Sequence, residues 1–467
     1  MINQLQNNFL INTLKAFLEK SGKHAFVVGG FVRDCLLGQD SCDVDIVVPK
    51  GSAFAFSKDF AESIEGYWVE LDNDNNIYRV VFPDKVNYID IADCVGESIE
   101  EDLKRRDFTI NALAYDISNG KVLDVVGGLD DLNNGIIREI SVVNIADDAI
   151  RILRAFRFKS QFGFVFSKTL EDFLSDHAYL LNNIAKERIN VELVKLFGGE
   201  HAVLSIVAMD NIGILEFLIP EVKDIKKIPP NSHHHLNLFE HSLETVKQVH
   251  LFYQNCNDDV KAHFNKKDFG VCERLAYLKL AAFLHDVGKP STWLIEPETG
   301  RHRFIMHDSE GAKVIVPTLK DLKFSKKQIA YIQKLIKNHI YPAGVVTSED
   351  ASEKARLRFY RKMEDETIDV IAIAYADRLS ALGEDVTQEM VAKNIDGLNE
   401  LLLGYVKQKN NIAPLPKLLD GQEIMELLDI PASPLLGQII RQLKEAQISS
   451  DVNTKEEAVE FIKRFLK

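Results

Sequence analysis

The fold is decided by residues 27–48, VVGGFVRDCLLGQDSCDVDIVV. The apolar run at the start of this stretch predicts a buried strand, which the pair Gly29-Gly30 interrupts. We expect a short helix next, followed by a second strand that contains Asp43 and Asp45. Because alternate residues of a strand face the same side, both carboxylates should point into one space.

This stretch has the chemistry of a site for a metal ion and a nucleotide. Two carboxylates held so close repel each other unless a cation lies between them, and Mg²⁺ is often bound by one or two carboxylates together with substrate phosphates. Glycines let backbone N–H groups approach a triphosphate at the start of a helix, and Arg33 adds a fixed positive charge. The alternative is a glycine turn followed by solvated aspartates on an edge strand.

Residues 29–34 (GGFVRD), followed by Asp43 and Asp45, resemble the head-domain motif of class II tRNA nucleotidyltransferases and bacterial poly(A) polymerases. That family belongs to the DNA polymerase beta nucleotidyltransferase superfamily. The resemblance implies transfer of a nucleoside monophosphate from ATP or CTP to an RNA 3′ hydroxyl. Asp43 and Asp45 would then be catalytic and would hold two metal ions. One ion lowers the pKa of the attacking hydroxyl, and the other stabilises the leaving pyrophosphate.

Two further motifs resemble the same family. The first, RRDFTINA (105–112), ends a charged run that by itself is typical of a solvated helix face. The resemblance implies that Arg106 contacts the nucleotide phosphates or ribose. It also implies that Asp107 and Asn111 bind the ribose hydroxyl and so distinguish NTP from dNTP.

The other motif begins at Asp147 and resembles the family's Glu-Asp-x-x-Arg, with Asp147 in place of the leading Glu. Asp148 and Arg151, one helical turn apart, predict a template for the incoming base. The carboxylate accepts from the exocyclic amine of cytosine or adenine, and the guanidinium donates to the adjacent ring acceptor. Uracil and guanine would leave buried groups unpaired. Arg154 and Arg157 continue this face and are further candidates for nucleotide binding; capping plus a solvated basic stripe is the alternative.

A second group of polar residues lies further along the chain. It resembles the metal-dependent phosphohydrolase superfamily named for its His-Asp doublet (HD), through His241, His285, Asp286, His307, His339 and Asp377. Imidazoles and carboxylates at these spacings can converge on one divalent metal or a bimetal pair, with Mg²⁺ or a transition metal. Lys289 is a candidate for orienting a phosphate, and isolated surface histidines are the alternative.

Composition limits the class of protein. The 467 residues are too many for one ordinary domain. A hydrophobic content of 46% and a charged content of 27% are typical of a folded soluble protein, and no apolar stretch approaches a membrane span. Five cysteines without paired metal spacing predict a reduced, cytoplasmic location. The net charge of −14 argues against general coating of nucleic acid but allows a local basic surface.

The predicted architecture is an α+β nucleotidyltransferase head with a small, mostly antiparallel sheet, followed by all-helical neck/body, HD and tail domains. The expected boundaries are 1–137, 138–228, 229–400 and 401–467. Strands are predicted near 24–28, 43–48, 67–71, 77–82, 86–91 and 112–116. Asp90, in one of them, is either a third metal carboxylate or a structural group. Basic residues such as Lys104 and Arg138, with others near 186–193, are candidates for binding a tRNA acceptor stem.

The leading hypothesis is therefore a tRNA 3′-end nucleotidyltransferase with tRNA, ATP and CTP as partners. In many members of the resembled family a longer flexible loop precedes the second motif, whereas only residues 90–98 stand here. That loop is implicated in adding the terminal A, so the chain is expected to add CCA or only part of it. A poly(A) polymerase is an alternative. An alternative from another class is an HD phosphohydrolase whose head recruits RNA.

Overall fold

The structure is a computed structural model that describes residues 2–39, 43–347, 353–409, 415–448 and 451–464. It divides into two compact units, Met1–Ile214 and Leu215–Lys467. Within the described ranges, no helix is both long enough and apolar enough to cross a bilayer. Cys94 and Cys256 carry free thiols, whereas Cys42 lies outside the described residues.

The first unit contains a seven-stranded sheet with the strand order β3-β4-β5-β2-β1-β6-β7. Only β2 and β5 pair in parallel, and the other five neighbouring pairs are antiparallel. The mostly antiparallel sheet predicted for the head is therefore confirmed. Its strands are β1 (Phe26–Val28), β2 (Val44–Val48), β3 (Tyr67–Asp72), β4 (Ile77–Val81), β5 (Tyr88–Asp93), β6 (Leu113–Asp116) and β7 (Lys121–Asp124).

The central position of β2 follows from its sequence. Every residue of β2 except Asp45 is buried, as expected for a strand with neighbours on both sides. Val28, the last residue of β1, pairs with Asp45, and on the opposite side Asp45 pairs with Asp90 of β5. This register places the turn that follows β1 directly beside Asp45.

Among the described residues, eleven α-helices accompany and follow the sheet in this unit, and a twelfth begins at its last residue. Some of these helices have explicit end signals, such as the helix Phe9–Ser21, with the Asn8 side chain at its start and the left-handed Gly22 at its end. The twelve described helices are α1 (Ile2–Asn7), α2 (Phe9–Ser21), α3 (Gly30–Leu36), α4 (Ala53–Ser63), α5 (Ile99–Lys104), α6 (Gly128–Asn134), α7 (Val142–Asp147), α8 (Ile150–Phe162), α9 (Lys168–His177), α10 (Lys186–Gly198), α11 (Ala202–Asn211) and α12 (Ile214–Leu218). A short parallel pair joins β8 (Ile136–Ile137), at the end of the predicted head, to β9 (Val165–Phe166). The neck/body, which was expected to be all-helical, therefore contains the strand β9.

In the residues of the second unit that the structure describes, the only strands form one hairpin, β10 (Trp293–Ile295) and β11 (His302–Phe304), within a domain expected to be all-helical. Its helices are α13 (Val222–Ile225), α14 (Leu238–Asn255), α15 (Asp258–Phe264), α16 (Arg274–Leu284), α17 (Lys289–Thr292), α18 (His307–Val314), α19 (Val316–Asp321), α20 (Lys326–Asn338), α21 (Tyr341–Thr347), α22 (Glu353–Met363), α23 (Thr367–Ser380), α24 (Gln388–Gln408), α25 (Gly421–Leu428), α26 (Pro434–Ile448) and α27 (Lys455–Lys463). All eleven residues of α16 are buried, so this helix is the centre of the unit.

A buried ionic network fixes α23 against α16 and α20. Asp369 is fully buried and accepts hydrogen bonds from Arg274, from the Tyr331 hydroxyl at 2.6 Å and from His263 at 2.9 Å. Burial alone would raise the pKa of Asp369, but His263 and Arg274 outweigh it and hold that pKa well below its usual value. The network therefore fixes the helix that also carries Asp377.

Candidate active site and metal centre

Asp43 and Asp45 face one cleft. Both line a cavity of about 520 Å³ together with Gly30 and Arg33. Asp45 lies in β2, and Asp43 immediately precedes this strand, which begins one residue later than predicted. The Tyr88 hydroxyl donates a hydrogen bond to Asp43 Oδ1 at 2.8 Å. The carboxylates of Asp43 and Asp45 therefore both lie beside the glycine turn.

The electrostatics of Asp45 favour a cation. Its side chain reaches the solvent of the cleft, yet the surrounding protein, Asp90 and Asp43 together raise the pKa of Asp45 to about 6. Asp90 is held by Arg79, whose Nε and Nη2 donate to its two oxygens at 2.7 and 2.8 Å. This salt bridge supports the structural interpretation of Asp90.

The glycine turn has a conformation suited to glycine. Gly29 has φ 74° and ψ −135°, which an L-residue rarely adopts. A Cβ on Gly29 would lie 3.1 Å from Arg106 Nη1. The Gly29 N–H donates to the Leu113 carbonyl at 3.2 Å, so the first turn of α3 is anchored to β6.

Asp102 fixes the guanidinium that lies over this turn. Its carboxylate is buried and accepts from Arg105 and from Nε and Nη2 of Arg106, at 3.2 and 2.9 Å for the latter. Arg106 Nη1 is thereby left beside Gly29. Burial opposes ionisation of Asp102, but the two arginines hold its pKa below its ordinary value. A preoriented positive group therefore lines the cleft.

The other residues of the second motif bind one another. Asp107 is buried, and its Oδ2 accepts from Arg154 Nε at 2.7 Å. The Asn111 amide donates to Asp107 Oδ1 at 3.0 Å, and Arg33 donates to Asn111 Oδ1. Arg33 is itself buried, and its Nε donates to Asp34 at 2.8 Å. These four predicted nucleotide-binding residues, Arg33, Asp107, Asn111 and Arg154, also line a larger cleft of about 760 Å³. Gly29, Arg106 and Asp148 line the same cleft.

The predicted base template has a partner that the sequence did not indicate. Both oxygens of Asp148 accept from Arg188 of α10, at 2.9 and 2.8 Å. Arg151 Nη1 donates to the carbonyls of Arg105 and Asn144 at 3.1 and 3.0 Å. The structure therefore brings Asp148 and Arg151 to the same cleft, each held by other groups.

A second residue of α10, Glu192, also lines this cleft. Arg157 Nη1 donates to Glu192 Oε1 at 3.2 Å, and burial lowers the pKa of Arg157 to about 10. Within the described chain, Arg157 Nε and Glu192 Oε2 have no hydrogen-bond partner. Buried polar atoms of this kind call for a ligand or ordered water. Arg188 and Glu192 are four residues apart in the stretch 186–193, which the sequence singled out only for its basic character.

The six HD residues converge in the second unit. His241 and His285 place their Nε2 atoms 3.2 Å apart, and His307 and His339 place theirs 3.3 Å apart. The four Nδ1 atoms face the backbone carbonyls of Ser380, Ala282, Phe304 and Ile336, respectively, at 2.7–3.3 Å. Each Nδ1 is therefore the protonated nitrogen, and each Nε2 lone pair points to the centre of the cluster.

The carboxylates complete a donor set that fits divalent ions. Asp286 Oδ1 lies 3.2 Å from His307 Nε2, and Asp286 Oδ2 lies 3.2 Å from His285 Nε2. Asp377 Oδ1 lies 3.2 Å from His241 Nε2. In the described chain no well-aligned hydrogen bond reaches either oxygen of the buried Asp286, although Lys289 Nζ approaches Oδ2 to 2.6 Å. Buried imidazoles and carboxylates of this kind are ligands of divalent metals.

Two features of this centre lie outside the predicted set. His234 forms a further potential ligand group with His241 and Asp377. Burial, Lys289 and His241 lower the pKa of His234 to about 3. A Cβ on Gly288 would lie 2.1 Å from the His307 carbonyl, so glycine there lets α18 approach the His-Asp turn.

Comparison with known families matches three segments of the chain. A family described as the poly A polymerase head domain matches residues 25–138. One described as a probable RNA and SrmB-binding site of polymerase A matches 163–226, and the HD domain family matches 238–382. The glycine turn, the paired aspartates and the match define a nucleotidyltransferase head. The head and HD families together imply the use of divalent metal ions.

Similar proteins extend over almost the whole chain. The CC-adding tRNA nucleotidyltransferase of Thermus thermophilus is 30% identical, with 94% of this chain and 93% of the relative covered. The A-adding tRNA nucleotidyltransferase of Deinococcus radiodurans is 29% identical, with 94% and 95% covered. The chain belongs to the tRNA nucleotidyltransferase family. The solved CCA-adding enzyme of Thermotoga maritima, complexed with tRNA, has the same fold, with a TM-score of 0.54 at 23% identity over 98% of this chain and 95% of that one.

Proposed function

We propose that the chain transfers CMP, AMP or both from CTP and ATP to the 3′ end of tRNA, in the cleft that Asp43 and Asp45 line. The observation that carries this proposal is the register of β1 and β2, which brings the Gly29 turn beside Asp45. The membership of the family and its tRNA-modifying relatives, which match over almost the whole chain, support it. Such a substrate goes with a cytoplasmic location.

The proposed reaction assigns a role to each group at the glycine turn. Asp43 and Asp45 would bind two Mg²⁺ ions, which lower the pKa of the RNA hydroxyl and stabilise the leaving pyrophosphate. Gly29 and Gly30 leave space for the triphosphate, since no side chain lies between it and the backbone. Arg106 holds a positive charge beside these phosphates. The hydroxyl oxygen forms the new bond to the α-phosphorus as the bond to pyrophosphate breaks.

The nucleotide itself would lie in the larger cleft. Asp148 accepts from the exocyclic amine of cytosine or adenine, and Arg151 donates to the ring. Asp107 and Asn111 bind the ribose hydroxyl by rearranging their mutual hydrogen bond. The face that binds the nucleotide is completed by Arg33, Arg154 and Arg157. Lys104 and Arg138 stay candidates for contact with the acceptor stem.

The number and kind of nucleotides added stay open. Relatives include A-adding, CC-adding and CCA-adding enzymes. One observation bears on this choice: the connection between β5 and α5 spans only residues 94–98 and is held by hydrogen bonds from Val95 and Glu97 to α5. Transcripts ending at the discriminator, at C and at CC, each incubated with each labelled NTP, would separate CC, A and CCA addition. Long A tracts on any RNA would instead indicate a poly(A) polymerase.

We also propose that the HD centre hydrolyses a phosphate ester, with a divalent metal at His241, His285, Asp286, His307, His339 and Asp377. The converging Nε2 atoms support this second activity, and Lys289 is placed to orient a phosphate. Changing Asp43 and Asp45 to Ala should abolish transfer and spare hydrolysis of 2′,3′-cyclic phosphate or 2′-phosphate substrates. Changing His285 and Asp286 to Ala should do the reverse. Transfer that survives the first double change would refute the assignment of the metal site to Asp43 and Asp45. A parent protein that hydrolyses such substrates but transfers no nucleotide would instead indicate an HD phosphohydrolase with an RNA-recruiting head.

The proposed domains are a head (1–137), a neck/body (138–228), an HD domain (229–400) and a helical tail (401–467). The family matches to 25–138, 163–226 and 238–382 support the first two internal boundaries. The hydrophobic core shared by α25, α26 and α27 supports a separate tail.

A further inference from the structure

Three consecutive histidines precede α14, and they face different surroundings. His233 is exposed, with its Nε2 3.4 Å from Arg301. His235 is exposed as well, and its Nδ1 accepts from the Leu382 N–H at 3.3 Å. Only His234 is directed towards the HD cluster. Within the sequence HHH, His234 is therefore the candidate metal ligand, and the exposed His233 and His235 can serve as controls for it.

The orientation of His234 is fixed by Asn231. The Asn231 side-chain oxygen lies 3.3 Å from His234 Nδ1 and accepts from the backbone N–H groups of His233 and His234 at 3.0 and 3.1 Å. An amide oxygen beside Nδ1 selects the tautomer with the proton there. The Nε2 lone pair of His234 consequently points away from Asn231, as in the four histidines of the HD motif, and Lys289 Nζ lies 3.4 Å from it, a contact that a bound cation would replace.

The loop that carries these histidines is fastened to the chain that follows α23. The Gly383 N–H donates to the His233 carbonyl at 3.0 Å, and the Asp385 N–H donates to the Ser232 carbonyl at 2.9 Å. A Cβ on Gly383 would lie 2.3 Å from the Ser232 oxygen, so the close approach requires glycine. Because α23 also carries Asp377, the loop and the metal-binding carboxylate share one anchored segment.

We propose that His234 is a seventh protein ligand of the HD centre and binds the divalent ion held by His241 and Asp377. One ligand atom from each of these three residues lies within 4.8 Å of the other two, close enough to converge on one ion with small adjustments. The rings of His234 and His241 lie 5.0 Å apart, edge to face. This inference rests on the proposed metal centre of the HD domain.

A fifth imidazole changes the class of metal. Nitrogen-rich sites suit Fe²⁺, Ni²⁺ or Zn²⁺, and Mn²⁺ binds such sites more weakly, whereas Mg²⁺ prefers oxygen ligands and water. The two ends of the cluster also become unequal. Asp286, His307 and His339 supply three protein ligands at one end, a number that leaves positions for a non-protein ligand. The other end gains an extra protein ligand and has fewer positions left.

The test uses the full chain with Asp43→Asn and Asp45→Asn, so that the head does not bind the added ion. After removal of metals with a chelator, Mn²⁺ binding is followed by calorimetry, and metal content is measured after gel filtration. His234→Ala is compared with the matched control His233→Ala. Melting of the metal-free variants reports whether the fold is retained, and His234→Gln replaces the alanine variant if that one unfolds.

We expect His234→Ala to weaken one class of bound Mn²⁺ by about tenfold or more, because even outer-shell partners of ligands contribute 10–100-fold to metal affinity. His233→Ala should bind as the parent does. Equal Mn²⁺ affinities in the two variants would overturn the assignment of His234. A parent protein that binds no Mn²⁺ at all, although it melts cooperatively, would instead refute the metal centre on which the assignment rests.

Discussion

Replacing Arg188 by alanine is expected to change nucleotide selection much more than stability. The Arg188 guanidinium holds both oxygens of Asp148 at 2.9 and 2.8 Å. The side chains of this pair are 52% and 36% exposed, so solvent screening limits its contribution to folding to about 1 kcal/mol or less. For a unit of this size, that corresponds to a shift in melting temperature of at most about 4 °C.

The effect on selection should be larger, because Asp148 without its partner can leave the position that recognises an exocyclic amine. A bidentate contact to a base contributes about 1–3 kcal/mol of discrimination, which corresponds to about 5- to 150-fold. In Arg188→Ala, the ratio of kcat/KM for CTP to kcat/KM for UTP should decrease by a factor within this range. The assay uses a tRNA transcript that ends at the discriminator, and Arg188→Lys should fall between the two proteins.

The control for this prediction is Lys168→Ala. Lys168 forms an exposed ion pair with Asp172 at 2.8 Å in the same unit, and neither residue lines the nucleotide cleft. This variant should keep both its melting temperature and its CTP preference. The reasoning is refuted if Arg188→Ala retains the parental ratio, or if it loses CTP and UTP incorporation equally as its melting temperature collapses.

Three further outcomes follow. Asp43→Asn with Asp45→Asn should abolish nucleotide incorporation at saturating CTP without unfolding the protein, as followed by circular dichroism. Asp369→Asn should lower the free energy of unfolding by about 3–5 kcal/mol in urea titrations at pH 7, because it breaks a buried ionic network. Since folding lowers the pKa of Asp369, its stabilisation is complete above about pH 4 and is lost as the pH falls further; the Asn variant should lack this component. Gly288→Ala should weaken Mn²⁺ binding by displacing His307, whose carbonyl would lie 2.1 Å from the new Cβ.

Each of these three predictions has a control variant in the same protein. His285→Ala should keep nucleotide incorporation, so parallel loss in both variants would contradict separate sites. Asp268→Asn removes a more exposed partner of Arg274 and should cost no more than about 1 kcal/mol. Gly344→Ala, at a glycine with open space around its Cβ position, should leave Mn²⁺ affinity unchanged. Equal effects in Gly288→Ala and Gly344→Ala would rule out the steric explanation.

Local patterns were sufficient to predict much of the head. Alternation and glycine turns placed six strands near their observed positions, because each combines apolar residues with clear turn residues. The seventh, β7, was missed since only four residues, KVLD, form it and the first is charged. The parallel pairing of β2 with β5 was not predictable either. Strand pairing over this sequence distance depends on tertiary packing rather than on either strand alone.

The residues of the two sites also divide into those that local sequence predicts and those that depend on tertiary contacts. Spacing of two residues indicated that Asp43 and Asp45 share a face, and they do. Arg188, Glu192 and His234 were not singled out, because what distinguishes them is their partner in space. An Arg and a Glu four residues apart are common on solvated helices, and nothing in the run HHH indicates which ring faces inwards. These positions became evident only through Asp148, Arg157 and the HD cluster.

The salt bridge between Arg79 and Asp90 has a consequence for how readily the catalytic ions would bind and dissociate. Asp90 pairs in register with Asp45, so an unclamped carboxylate there would make the pocket trianionic. Such a pocket would retain a divalent ion tightly after pyrophosphate has departed. The charge of Asp90 still acts on Asp45, but Arg79 offsets part of it within the sheet, so the net negative charge facing an ion is smaller. Turnover would then depend on ions that bind with each nucleotide and dissociate with the product. Weakening the salt bridge between Arg79 and Asp90 should raise the metal affinity and lower the turnover rate.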